Sequence, residues 1–188
     1  MKSNIHPLIS KRYSPVIFSD KEVGEEVLNR LFEAARWAPS SFNDQPWNFI
    51  YGVKGKDEIY DLLFECLMDA NKEWAKSAPV LMLSVASLIS PTTQKENPYA
   101  FHDTGMAVSN LLFQATDMDL YVHQMGGYSK SKARELLKIP DSYKPVAMIA
   151  LGYKGNQDNA PEKLVSRENN ERTRKPLNSF VFNDKFQG

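Results

Sequence analysis

Apolar residues recur along the chain with two different spacings, and the changes between them mark out its elements. Val23, Val27, Leu28, Leu31, Phe32 and Ala35 share one face of a helical repeat, so a helix is predicted there. Ser19-Asp20-Lys21-Glu22 ahead of it has the form of a capping box, in which the first and fourth side chains satisfy free backbone amides. Pro39 closes the helix because proline cannot continue the hydrogen-bond ladder. Phe49 to Val53 is a short strand candidate closed by Gly55. A second helix is predicted from about Asp57 to Trp74, with Ile59, Leu62, Leu63, Cys66 and Leu67 inward. Pro79 to Val85 is continuously apolar, which suits a central strand covered on both faces.

The polar stretch Ile89 to Pro98 holds two prolines and reads as a loop or lid. A third helix is expected over roughly Phe101 to Met118, nearly all buried, with Met106, Ser109, Leu112, Phe113 and Thr116 at helical spacing. A brief strand, Leu120 to Gln124, leads into Gly126-Gly127, and Ser129 is a candidate cap for a short helix ending near Ile139-Pro140. Val146 to Gly152 is the last strand candidate. Asn156 to Glu171 is charged and aperiodic and reads as a surface excursion. The tail from Pro176 to Phe182 turns apolar again, so it needs a surface to pack on, such as a second subunit. The alternation of helices and strands predicts one α+β or α/β domain over residues 1–188.

Composition narrows the partners. Lys plus Arg and Asp plus Glu each number 23, and a chain with no net charge lacks the basic field that nucleic acid requires. Cys66 is the sole cysteine, so no internal disulfide forms and a reducing compartment, the cytoplasm, is expected. Met1 to Ser10 carries no apolar stretch of the signal-peptide kind, and Pro79 to Ala86 is too short to cross a bilayer as a helix. No metal site is expected, since His6, His102 and His123 show no ligand spacing with one another or with Cys66. Cys66 lies on an apolar helix face and reads as a structural thiol. No Walker, nucleophile-elbow or G-x-G-x-x-G motif occurs. A chain without reactive groups of its own and with unusual loops points to borrowed cofactor chemistry.

Three segments are unusual. Ser10-Lys11-Arg12-Tyr13-Ser14 and Arg172-Thr173-Arg174-Lys175 combine guanidiniums with hydroxyls, a set suited to a phosphate and equally to a solvated basic surface. Pro39-Ser40-Ser41-Phe42-Asn43-Asp44-Gln45-Pro46-Trp47 is rich in turn residues, yet it also unites amides with a flat apolar wall suited to a planar ring.

In these segments the sequence resembles the nitroreductase family of FMN-dependent oxidoreductases over nearly the whole chain. Arg12-Tyr13-Ser14 resembles the family's arginine-x-serine signature for the FMN phosphate and ribityl chain. Pro39 to Trp47 is similar to its P-S-S-x-N-x-Q-P-W loop, which contacts the flavin bound mainly by the other subunit. Asn110-Leu111-Leu112 through Gly126-Gly127 is similar to the interface helix and the loop beneath the ring, and Arg172-x-Arg174-Lys175-Pro176 to the closing basic motif. The resemblance implies an α+β three-layer fold, with a mostly antiparallel central sheet between helices and a C-terminal tail wrapping onto the partner subunit.

It further implies a homodimer with shared sites. FMN is expected on Arg12, Tyr13, Ser14, Asn71, Gln124, Met125, Gly126, Gly127, Arg172 and Arg174, with Pro39, Ser40, Ser41 and Asn43 from the other chain. Phe42, Trp74, Phe101 and His102 are expected to wall the acceptor pocket, and His102 is also open to a structural reading. The implied activity is ping-pong transfer from NAD(P)H to nitroaromatics, quinones or similar acceptors, with hydride chemistry carried by the flavin and no catalytic side chain. Val16 and Trp74 stand where relatives often carry a basic residue, which keeps open a flavin-binding protein with little turnover. Flavin or enone reduction and dehalogenation on the same scaffold stay open as well. A structural domain with no ligand comes last.

Overall fold

The strands β1 (Trp47–Val53), β2 (Val80–Ser87), β3 (Leu120–Met125) and β4 (Tyr143–Tyr153) form one sheet in the order β1-β2-β4-β3 in a computed structural model, which describes residues 5–186. All three pairings are antiparallel. The helices are α1 (Pro7–Lys11), α2 (Glu25–Arg36), α3 (Glu58–Cys66), α4 (Asp69–Ala75), α5 (Ala100–Asp117), α6 (Lys130–Leu136) and α7 (Glu162–Glu168).

Alternation along the strands produces two cores. On one face Val80, Met82, Leu120, Val122, Ile149 and Leu151 pack against α2 and α5 through Leu28, Leu31, Ala107 and Leu111. On the other, Leu81, Leu83, Val85, Met125, Met148 and Ala150 meet Leu63, Cys66, Trp74, Ala75, Ala133 and Leu164 from α3, α4, α6 and α7. The sheet is thus the middle of three layers, and β2, buried on both faces, bears out the reading of its apolar run.

Several expectations need correction. The first large helix begins at Glu25 with Gly24 as its cap. Ser19 instead accepts the Lys21 amide at 3.1 Å in a local turn, and Glu22 pairs with Lys56. That helix stops at Arg36, before Pro39. The helix expected from Asp57 to Trp74 is two helices. Leu67 and Met68 turn extended between them (ψ 147° and 151°), because Cys66 to Met68 pair instead with the loop after β3. Ser129 N–H reaches Cys66 O at 2.8 Å, and Met68 N–H reaches Gly127 O at 3.0 Å.

Helix α5 is buried at Ala100 and along the doublets Asp103-Thr104, Ala107-Val108, Leu111-Leu112 and Ala115-Thr116, and Met106 lies exposed. The excursion after β4 contains α7, which its single buried residue, Leu164, hid from a periodicity reading. Ser129 does cap α6, accepting the Lys132 amide. Among the described residues no helix is long and apolar enough to cross a membrane.

Candidate functional site

Two clusters collect the unusual residues of the sequence. The first forms where both ends of the chain meet. Residues 12–15 belong to no helix or strand, so their course is set by tethers. Arg172 donates to the carbonyls of Arg12 (2.6 Å) and Ser10 (2.8 Å), binding the C-terminal segment across the N-terminal arm. Arg12 reaches the Ser14 hydroxyl at 3.3 Å. The Tyr13 hydroxyl donates to Glu168 at 3.0 Å, and the Val16 amide donates to the other oxygen of that carboxylate at 2.7 Å. Pro15 O accepts from His123 Nδ1 at 2.7 Å. A carbonyl only accepts, so Nδ1 carries the proton.

The charge balance here is one-sided. Burial, and then the like charges of Arg174 and Arg172, lower the Arg12 pKa from its ordinary value. None of these three arginines joins a salt bridge among the described residues. Guanidiniums gathered without a carboxylate form an anion site in chemical terms. Tyr13 is held protonated, its pKa raised by burial and then by the Glu168 hydrogen bond.

Beside this cluster, α4 meets the loop after β3. Asn71 Nδ2 donates to Gly127 O at 2.9 Å, while its Oδ1 accepts the Trp74 indole N–H at 3.2 Å. The indole can only donate, so the amide orientation is fixed. One hydrogen and one lone pair of that amide stay free for a ligand. A Cβ on Gly127 would come within 2.6 Å of Asn71 Nδ2, whereas one on Gly126 would meet nothing within 4 Å. Gln124 is exposed and Met125 buried at the end of β3.

Trp74 is packed into the core and borders a cleft with Val16, Ile17 and Leu164, a lining that lacks Phe42, Phe101 and His102. It is 1% exposed, stacked on His123 with centroids 4.3 Å apart and facing Phe18 at 6.3 Å. Val16 likewise points into the core.

The second cluster lies between α2 and β1. Ser41–Asn43 make one 3-10 turn, in which Phe42, Asn43 and then Gln45 take positive φ (53°, 56° and 47°). Asparagine tolerates this region, whereas a bulky side chain such as Phe42 is strained there at a cost of about 1 kcal/mol or more. Buried carboxylates hold the turn. Asp103, at the start of α5, accepts the Ser41 amide at 2.9 Å on one oxygen and contacts His102 Nδ1 at 2.9 Å on the other. Asp44 accepts the Thr92 hydroxyl at 2.7 Å and the Asn97 amide at 3.5 Å, so the segment Ile89 to Pro98 is pinned onto the turn. The Ser90 and Thr92 hydroxyls hold the Asp44 carboxyl below its ordinary pKa. Ser40 Oγ accepts the Gln45 amide at 3.0 Å, and Pro39 leads into the turn. Phe42 (76% exposed), Phe101 and His102 stand exposed around this cluster.

The structure therefore brings Arg12, Tyr13, Ser14, Arg172 and Arg174 together, and Asn71 with Gly127. It brings Ser40, Ser41, Phe42 and Asn43 to the start of α5. Sequence reasoning missed Glu168, Asp103, Asp44 and His123. An acid on the buried stripe of α5 was the available signal for Asp103. Glu168 had none, because both its partners lie more than 150 positions away.

The family model described as Nitroreductase family matches residues 9–153. A solved oxidoreductase containing FMN is 34% identical, with a TM-score of 0.92 over 100% of this chain and 96% of that one. Protein DrgA of Synechocystis sp. is 28% identical over 187 residues, covering 86% of this chain and 87% of its own. An FMN-dependent nitroreductase from Clostridium difficile, 24% identical, shares the fold with a TM-score of 0.70 over 94% of this chain and 98% of its own.

Proposed function

The chain belongs to the nitroreductase family, and from that premise we propose an FMN-dependent oxidoreductase that draws electrons from NAD(P)H and reduces small organic acceptors, quinones and nitroaromatics among them. The observation that carries the reading is the uncompensated cluster of Arg12, Arg172 and Arg174. Arg12 is partly buried beside the like charges of Arg174 and Arg172, and an anion such as the FMN phosphate would offset that cost.

The remaining residues fit the same cofactor. Arg12, Ser14, Arg172 and Arg174 hold the phosphate, with Tyr13 fixing the course of the arm. Asn71 offers its free hydrogen and lone pair to the polar edge of the ring. Gln124, Met125, Gly126 and Gly127 present backbone to the ring, and the open space around Gly126 leaves room for it. FMN held there would supply the hydride chemistry of a ping-pong exchange between the nicotinamide and the acceptor. The protein's part is to bind, orient and exclude water.

Pro39, Ser40, Ser41 and Asn43 serve the site of a second copy, in a homodimer with two equivalent sites. The exposed Trp37, Phe42, Phe101, Met106, Leu177, Phe180 and Val181 support that assembly, since large apolar side chains left in water are the usual mark of an interface. The tail lies over the partner in this reading. Phe42, Phe101 and His102 border the acceptor. Val16, being in the core, sets no charge near the ring. A cytoplasmic setting suits the single, buried Cys66.

Anaerobic titration of the flavin-loaded protein with NADH and NADPH tests the reading. Bleaching of the flavin followed by recovery on adding a quinone is the expected result. Flavin that binds and stays oxidised under both nucleotides would make this a flavin-holding protein instead.

A further inference from the structure

We propose that Glu168 is a positioning residue of the phosphate site, fixing the course of residues 12–16 so that three guanidiniums converge on one anion. The ligand side of this inference rests on the FMN reading above. The Arg12 amide closes α1 on Leu8 O, but Tyr13 to Pro15 have no backbone ladder of their own, so whatever ties them down decides where the Arg12 and Ser14 side chains point.

Glu168 supplies two of those ties at once, one carboxylate oxygen to the Tyr13 hydroxyl and the other to the Val16 amide. The two contacts straddle Ser14. His123 adds a third tie at Pro15. Glu168 is the last residue of α7, and Arg172 and Arg174 follow four and six residues later. One helix end therefore both fixes the arm and delivers two of the three guanidiniums. Helix α7 is itself held, by Leu164 in the core and by Lys163 on Glu73 of α4 at 2.7 Å.

The choice of partners matters. Glu168 forms its bonds with neutral donors, and it makes no salt bridge with Arg12, Arg172 or Arg174 among the described residues. A carboxylate paired with those arginines would occupy the place of the phosphate. Engaged with Tyr13 and Val16, it shapes the site without neutralising it.

Glu168→Gln and Glu168→Ala separate this role from general support. Glutamine keeps both ties: its oxygen accepts the Val16 amide and its NH2 donates to the Tyr13 hydroxyl oxygen. Alanine loses both. The test is titration of the flavin-free full chain with FMN and with riboflavin, which lacks the phosphate, followed by flavin fluorescence.

Glu168→Ala is expected to weaken FMN about tenfold or more, from two lost hydrogen bonds, and to change riboflavin affinity little. Glu168→Gln is expected to stay within about threefold of the parent protein for both ligands. Tyr13→Phe removes one tie, leaves the core intact and serves if Glu168→Ala folds poorly. It is expected to weaken FMN by about threefold and to leave riboflavin unchanged. Equal losses for FMN and riboflavin, or FMN affinity unchanged in both Tyr13→Phe and Glu168→Ala, would overturn the positioning role alone. A parent protein that binds neither flavin nor inorganic pyrophosphate would overturn the FMN reading and this role with it.

Discussion

Around Arg12 the chain gathers like charges from both ends of its sequence and pairs none of them with a carboxylate, Glu168 being engaged by Tyr13 and Val16. Around Ser41 it does the reverse, burying the carboxylates of Asp44 and Asp103 and surrounding them with donors. The first cluster holds like charges with no ion pair among the described residues, and in the proposed function an anion offsets them. The second is satisfied without any ligand, and its cost is conformational, in the positive φ of Phe42 and Gln45. In the proposed site, one half would be stabilised by what it binds, while the other is rigid in advance. A surface built from both can hold a cofactor by its charged end and still present a preformed wall to changing reactants.

The largest expected effect breaks the first half. Arg12→Ala should weaken FMN about 100-fold, close to 2–3 kcal/mol for charge-assisted bonds, by fluorescence titration. Without flavin the same variant should be no less stable than the parent, because a like charge has been removed. A loss of stability in the flavin-free state would mean that the cluster is already compensated.

Asp103→Ala acts on the second half. It strands the partly buried Ser41 amide and should lower stability by about 1–3 kcal/mol, read from the urea midpoint with or without flavin. An unchanged midpoint would show that the turn holds its shape unaided.

A smaller effect is expected at the paired glycines. Gly127→Ala must displace the Asn71 amide and should cost about 1 kcal/mol of stability for a lost hydrogen bond. Gly126→Ala meets open space, so it should leave the midpoint alone and impair flavin binding only. The reverse ranking of the two midpoints would contradict the placement of Asn71.

The smallest effect is a pH dependence. Burial, ahead of every other cause, lowers the His123 pKa below its ordinary value of 6.5. The Pro15 carbonyl and Glu168 oppose the shift, while Arg167 and Arg12 add to it. The unfolded chain therefore takes up the proton first, and stability is lost as pH falls below the ordinary histidine range. His123→Asn keeps an N–H for Pro15 and does not titrate. Its urea midpoint should fall less than that of the parent between about pH 7.5 and about pH 5.5, and equal slopes would show that His123 does not set the dependence.

The contrast between the clusters also governs what the sequence made legible. Residues proposed to touch the ligand stood in short motifs: Arg12 to Ser14, Pro39 to Trp47, Arg172 to Arg174. Their supports did not, because Glu168, His123 and Asp103 act on partners 62 to 155 positions away. The strand cores and the Ser129 cap were readable since a local pattern determines them. The break at Leu67 was not, for the helical period of α3 runs on through it while a tertiary bridge to Tyr128 pulls the chain out. The buried stripe of α5 was misplaced because it is built partly from Ala107 and Ala115, which weigh little in a hydrophobic pattern. The packing of Trp74 was not legible for a related reason: its neighbours Phe18 and His123 come from other elements.

The central claim is that this chain holds FMN through its arginine cluster. The most direct test is the visible spectrum of the purified full chain, with mass analysis of what heat releases and, for a colourless preparation, a titration with added FMN. A flavin spectrum and an FMN mass are expected, or saturable FMN uptake that inorganic pyrophosphate competes away. A colourless protein that takes up no FMN would contradict the claim and leave Arg12, Arg172 and Arg174 as surface charge.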